Sequence, residues 1–176
     1  MKRVLIPAMM VALAACTTPP IDTPHASSSV TLSQMTGGAI SPGFSGMAPV
    51  PAVPAFRMPV VPIDVPPNAA SANLAEAILH VTLTNRMTIP LTLKISLSKS
   101  ENPYDDPSAS FGDAVEIQPG ASKQLDKSVD PTLFKQPKVY FGMTFSTPGT
   151  GLTPVAIKGS DSLDLESWAT VKVKLL

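Results

Sequence analysis

Cys16 is the only cysteine in the 176 residues, and His25 and His80 are the only histidines. A hydroxyl or thiol nucleophile needs a base, usually histidine, within hydrogen-bond reach. His25 falls in a proline-rich stretch nine residues after Cys16, where no rigid shell is expected to hold it. His80 falls on an alternating segment, on the face opposite Leu79 and Val81. A lone histidine there reads as a surface residue rather than a catalyst or a metal ligand. Gly43-Phe44-Ser45-Gly46 lacks the Gly-x-Ser-x-Gly spacing of a nucleophile elbow, and no glycine-rich phosphate loop is present. The inventory for catalysis is thin, and no enzymatic activity is expected.

The one chemically suggestive cluster is acidic. Glu101, Asp105, Asp106 and Asp113 fall within thirteen residues, with Asn102, Ser108 and Ser110 between them. Calcium takes six to eight oxygen ligands, and a loop rich in Asp, Asn and Ser can supply them. The spacing is not that of an EF-hand, so solvated loop carboxylates are the competing explanation. A carboxylate-dependent hydrolase at this loop is a weaker alternative, because nothing apolar surrounds the carboxylates to raise one pKa. Tyr104 and Phe111 flank the loop; they either form a binding rim with Asp105, Asp106 and Asp113 or pack on the end of the fold. No cofactor is implied, and no metal site is assigned.

The other informative cluster is at the start. Met1-Lys2-Arg3 is followed by an apolar run from Val4 to Ala15. A charged start, a short apolar stretch and small residues read as a secretory signal peptide over 1–15. A membrane-spanning helix would need about 20 apolar residues. The ending Leu13-Ala14-Ala15-Cys16 resembles the lipobox of bacterial lipoproteins. The resemblance implies cleavage before Cys16, a diacylglyceryl group on its sulfur and usually a further acyl chain on the freed amine. In a two-membrane envelope it also implies that Thr17 and Thr18, in place of Asp, lean towards the outer membrane. The membrane is thus the first partner expected, through lipid on Cys16.

Charge excludes other partners. Lysine and arginine number 13, as do aspartate and glutamate; loss of Lys2 and Arg3 leaves 11 basic residues and a net charge near −2. Such a chain has no footprint for nucleic acid and no polybasic patch for anionic lipid. Attachment must come from acyl chains, each buried CH₂ contributing about 0.8 kcal/mol. Lys123, Lys127, Lys135 and Lys138 alternate with Asp126 and Asp130 as a solvated face. With no second cysteine for a disulfide, the folded part must rest on hydrophobic burial and sheet hydrogen bonds.

Composition divides the chain near residue 70. Residues 17–70 hold eleven prolines and only three charged residues, Asp22, Arg57 and Asp64. Proline near every third position over 49–67 favours extended polyproline II. We therefore expect a disordered, proline-rich linker over 16–70, with a reach between roughly 40 Å as coil and roughly 160 Å fully extended. Val50, Val53, Phe56, Met58, Val60, Val61, Ile63 and Val65 are costly to leave in water, however. Part of 55–66 is expected to dock on the folded domain or a partner, and a proline-rich strand can add only at a sheet edge.

From 71 to 176 the pattern is alternation. Leu91, Leu93, Ile95 and Leu97 alternate with Thr92, Lys94, Ser96 and Ser98; Val139, Phe141, Met143 and Phe145 with Tyr140, Gly142, Thr144 and Ser146. Runs at 79–84, 115–117, 152–157 and 169–175 extend the theme, giving six to eight strands. Leu74–Leu79 and Leu163–Trp168 are short enough in pattern to hold a helical turn each. Hairpin spacing with no helices between strands predicts an all-β, antiparallel two-sheet sandwich, immunoglobulin-like in architecture only. Leu83-Thr84-Asn85, Ile89-Pro90-Leu91-Thr92-Leu93 and Ile117-Gln118-Pro119-Gly120-Ala121-Ser122 together resemble the opening of late-embryogenesis-abundant-type sandwiches, which implies fold alone. The functional expectation is a lipid-anchored protein of the cell envelope. Its β domain is structural or binds an envelope protein or polymer; the alternative is a ligand- or Ca²⁺-binding module at 101–113.

Overall fold

The computed structural model describes residues 19–106 and 110–174, with backbone alone for 110–113. Two antiparallel sheets face each other. The first orders β12 (Ser162–Val173), β6 (Leu74–Asn85) and β9 (Ser122–Val129), with β1 (Ile21–Asp22) and β2 (Ala26–Thr31) both on the outer edge of β12. The second orders β10 (Lys138–Thr147), β7 (Leu91–Ser98) and β8 (Ser110–Ile117), with β4 (Val53–Arg57) and β5 (Val61–Asp64) both on the outer edge of β10. A two-stranded ribbon, β3 (Ser45–Ala48) with β11 (Val155–Lys158), caps one end. The all-β, antiparallel sandwich expected from alternation is the observed fold.

Alternation works because each strand has one buried face. Leu79, Val81 and Leu83 of β6 meet Leu91, Leu93, Phe141, Met143 and Phe145 of the opposite sheet in one apolar cluster. Pro119-Gly120 makes the expected turn, with Gly120 at φ +69°. The helical turns expected at Leu74–Leu79 and Leu163–Trp168 do not form. Both segments belong to the longest ladder in the molecule, β6 against β12, which runs from Leu163↔Asn85 to Val173↔Leu74. Long-range pairing with a fully buried inner face outweighs a local pattern whose propensity differences are tenths of a kcal/mol. The apolar run expected over 152–157 is also shorter, since β11 begins at Val155 and Leu152 is 96% exposed.

The largest departure concerns 16–70. Its described part, 19–70, is not a disordered linker. The chain climbs the edge of β12 as β1 and β2 and turns at α1 (Leu32–Met35), where Thr31 and Gln34 form a reciprocal capping box. It crosses the end of the sandwich through β3, descends the edge of β10 as β4 and β5, then passes α2 (Pro67–Ala70) into β6. β2 and β5 approach each other across the open side. The segment is a strap around the sandwich, and the apolar residues scattered among its prolines are the reason. Val30, Leu32, Met35, Ile40, Val50, Val53, Met58, Ile63 and Val65 are all buried. Docking of 55–66 at a sheet edge is as expected: β4 and β5 pair with β10 alone, so Pro54 and Pro62 lack an N–H only where no further strand would need it.

Candidate functional site

Three places gather polar or exposed apolar side chains. The first is the 101–106 loop, which folds over the outer face of the second sheet. Between β4 and β5 the edge ladder opens at Met58. The Met58 N–H donates to the Met143 carbonyl at 2.9 Å. The return bond is replaced by a phenol: the Met143 N–H donates to Tyr104 Oη at 3.1 Å, and Tyr104 Oη–H donates to the Met58 carbonyl at 2.5 Å. Gly142 makes room for the ring, since a Cβ there would stand 2.8 Å from Pro103 Cγ and 3.0 Å from the Tyr104 ring. Burial pushes the Tyr104 pKa up, outweighing the Met143 N–H and the Arg57 charge, so the hydroxyl stays a donor.

The loop carboxylates also have partners on the protein. Asp105 lies 3.5 Å from Arg57 and accepts from Asn102 Nδ2 at 2.6 Å; Asp106 accepts from Ser98 Oγ. Glu101 accepts from Tyr140 Oη at 3.2 Å. Among the described residues, no three of His, Cys, Asp and Glu converge as metal ligands. Phe111 and Asp113 belong to β8, but their side chains lie outside the described residues, as do Cys16 and the 1–15 leader. Tyr104, Asp105 and Asp106 are therefore brought together as a brace between the loop, β10 and the strap.

The second place is the outer face of the first sheet. Trp168, the only tryptophan, is stacked between the two histidines: His25 at 4.3 Å and 5° between planes, His80 at 5.0 Å and 18°. His25, expected on a loose linker, is fixed because the strap runs beside β12; its Nδ1 is 2.8 Å from Glu166. His80 places Nδ1 2.7 Å from Asp126 and Nε2 3.0 Å from Thr170 Oγ1. A carboxylate on one ring nitrogen and a hydroxyl on the other is the outline of a nucleophile triad. Thr170, however, donates its one hydrogen to Asp22 at 2.6 Å, away from His80. The set works as a cross-strand chain from β1 through β12 and β6 to β9. The His80 hydrogen bond holds the Asp126 carboxyl below the usual range, helped by Gln124. Sequence reasoning missed this stack because its members come from three separate segments, and because the pattern of Leu163–Trp168 suggests a helical turn; alternation did put His80 and Thr170 on outward positions.

The third place is a cleft of about 380 Å³ at the capped end, between the β3–β11 ribbon and the β6–β7 connection. Met47, Ile157, Arg86, Thr88 and Lys158 line it. Met47 is 65% exposed, and with Leu152 it makes up the exposed large hydrophobic side chains of the described residues. Arg86 is held at its edge by Asp164 at 2.6 Å.

Among the described residues no helix is long and apolar enough to cross a membrane. No protein-family model and no curated protein matches the chain. Among solved structures it is similar to one of the infectious bursal disease virus Gx strain, at 14% identity and TM-score 0.33, over 98% of this chain but 36% of that one. It is also similar to the naturally occurring empty particles of cowpea mosaic virus, at 13% identity and TM-score 0.31, over 88% of each chain. The chain thus spans about a third of the length of the first of these, and likenesses of this size say nothing about what it does.

Proposed function

We propose that the chain is a lipid-anchored protein of the cell envelope, with lipid on Cys16, whose sandwich is a non-catalytic body that is structural or binds an envelope partner. The observation that carries this reading is Leu13-Ala14-Ala15-Cys16 behind Lys2-Arg3 and an apolar run. Thr17 and Thr18 favour the outer membrane. The polar chemistry supports a non-catalytic body: His80 and Thr170 are committed to cross-strand bonds, and Asp105 and Asp106 to bracing ones. For a partner, the exposed Met47 in the cleft is the most suitable contact, with exposed Leu152 in the β10–β11 connection at the same end of the sandwich.

The deciding experiment is mass analysis of the protein from its own host. Loss of 1–15 together with added acyl mass on Cys16 is the expected result. An uncut leader or a bare thiol refutes the reading.

A further inference from the structure

The strap changes what the lipid can do. If 16–70 were a stalk, the sandwich would float free of the headgroups. Instead, the chain is paired with β12 from Ile21 onwards, five residues after Cys16. Five residues span at most about 18 Å however they run. The point at which they join the fold is also fixed. Ile21 pairs with Val171 and Asp22 with Thr170, so the tether leaves beside Lys172–Lys174, at the end where β12 finishes and β6 starts. The same end carries α2, the β7–β8 connection after Ser98 and the 3-10 turn Pro131–Phe134 that leads into Lys138. The cleft, Met47 and Leu152 lie at the opposite end, beyond the start of β12. A twelve-residue β12 separates the two ends by about 40 Å.

We infer that the sandwich sits end-on upon the bilayer that holds its acyl chains, with the Lys174 end in the headgroup layer and the cleft facing away; this rests on the lipidation of Cys16 proposed above. The docked surface has suitable chemistry. Lys99, Lys135 and Lys174 are exposed there and stand outside the six ion pairs of the described residues, against the exposed carboxylates Glu101 and Asp130, the latter within reach of the Lys99 charge; Lys172 and Lys138 are paired with Glu76 and Asp64. Three lysines do not make a polybasic patch, so they favour phosphate headgroups without binding by themselves. The short tether keeps them there, raising their local concentration at the surface far above that of a free protein.

The test uses acylated full-length protein in vesicles of phosphatidylethanolamine and phosphatidylglycerol that carry an energy-accepting headgroup dye. A donor dye is placed on Lys135→Cys at the tethered end or on Leu152→Cys at the far end; acylated Cys16 offers no competing thiol. Near-complete loss of donor emission at 135, with emission largely kept at 152, is expected. Equal loss at both positions, with the mass spectrum proving acyl chains on Cys16, overturns the end-on placement and leaves the lipoprotein reading intact. A bare Cys16 overturns both. A twenty-residue Gly-Ser insert between Thr18 and Pro19, adding on the order of 25 Å of root-mean-square reach, should restore emission at 135. Quenching unmoved by the insert would overturn the short tether as its cause.

Discussion

Replacing Ile63 by alanine separates a strap from a linker. Ile63 lies in β5, fully buried and opposite Val139 of β10. Cutting a fully buried isoleucine to alanine costs about 2–5 kcal/mol, because transfer free energy is lost and a cavity remains. A domain of this size has about 5–15 kcal/mol of stability in total, so the loss is a large fraction. At about 2–4 °C per kcal/mol, a 3 kcal/mol loss lowers Tm by about 6–12 °C. Urea unfolding followed by Trp168 fluorescence reads it directly. The single tryptophan reports from the first sheet, whereas Ile63 is in the second. One shared transition at a lower midpoint, with an unchanged slope, is expected if strap and sandwich form one cooperative unit. Pro54→Ala, at an exposed position of β4, is the control. A midpoint shift worth less than about 0.5 kcal/mol for Ile63→Ala, the range of surface substitutions, would refute the strap as a structural element.

Asn85→Ala should cost about 2–5 kcal/mol in the same assay, since buried Asn85 gives Nδ2 hydrogens to the Ile89, Ile117 and Gln118 carbonyls and accepts from the Met87 N–H at 3.0 Å; a loss under about 1 kcal/mol would show that water replaces these bonds. Tyr104→Phe leaves the Met58 carbonyl and Met143 N–H without their bridge and should cost about 1–3 kcal/mol, with faster hydrogen exchange at Met143 than at its neighbours in β10. Asp164→Asn tests the tie between strap and β12. Burial raises the Asp164 pKa, but hydrogen bonds from Arg86, Ser29 and Ser162 together hold it below the usual carboxylate value. A carboxylate depressed in the fold contributes its stability above about pH 4 and loses it as pH falls through the lower folded value. The variant should therefore be about 0.2–1 kcal/mol weaker at pH 7, an exposed-pair magnitude, and indistinguishable from the parent in strong acid. A gap that widens on acidification would contradict the assignment.

The sheets were legible wherever one face is buried and the other wet. Leu91–Ser98 and the 139–146 run are strands in the expected phase, with every apolar position buried; the outward positions Ser98 and Gly142 are buried too, Gly142 because Pro103 and Tyr104 lie over it. The strap was not legible as strand for the same physical reason. Its pieces pair on one side only; β4 and β5 are cut short around Pro59 and Pro66, and six-residue β2 reads Ala-Ser-Ser-Ser-Val-Thr, with no apolar–polar alternation to show a period of two. What the sequence did display was misplaced hydrophobicity: Val53, Met58, Ile63 and Val65 have no reason to sit in a solvated linker, and all are buried. The family resemblance rested on words around Asn85, Ile89 and Ile117-Gln118, and that asparagine is what joins those words in space. His25 was misjudged because its support, Trp168 and Glu166, arrives from more than 140 residues away.

The strap also decides which surfaces are left for a partner. It occupies the outer edges of β12 and β10, the side on which an incoming strand would otherwise have added to either sheet. That side now ends in the short strap strands themselves, β4 and β5 with prolines in them, and the opposite edges are β9 and β8. β9 shows Lys123, Asp126 and Lys127 along its length and is exposed or half-exposed throughout, the composition that discourages strand addition. The end beside Lys174 is committed to the bilayer if Cys16 carries lipid. That leaves the far end, where Met47 keeps a large apolar side chain in water at the cleft and Leu152 does so in the β10–β11 connection. Exposed apolar side chains are common singly, but both of these fall at the one end that a short tether would turn outward. A charge at both positions, Met47→Asp with Leu152→Asp, should leave folding within about 0.5 kcal/mol of the parent, because neither side chain is buried. Crosslinking of an envelope component to the native far end should be lost in that variant. If the crosslink survives, the partner lies elsewhere, and β8 is the next edge to probe.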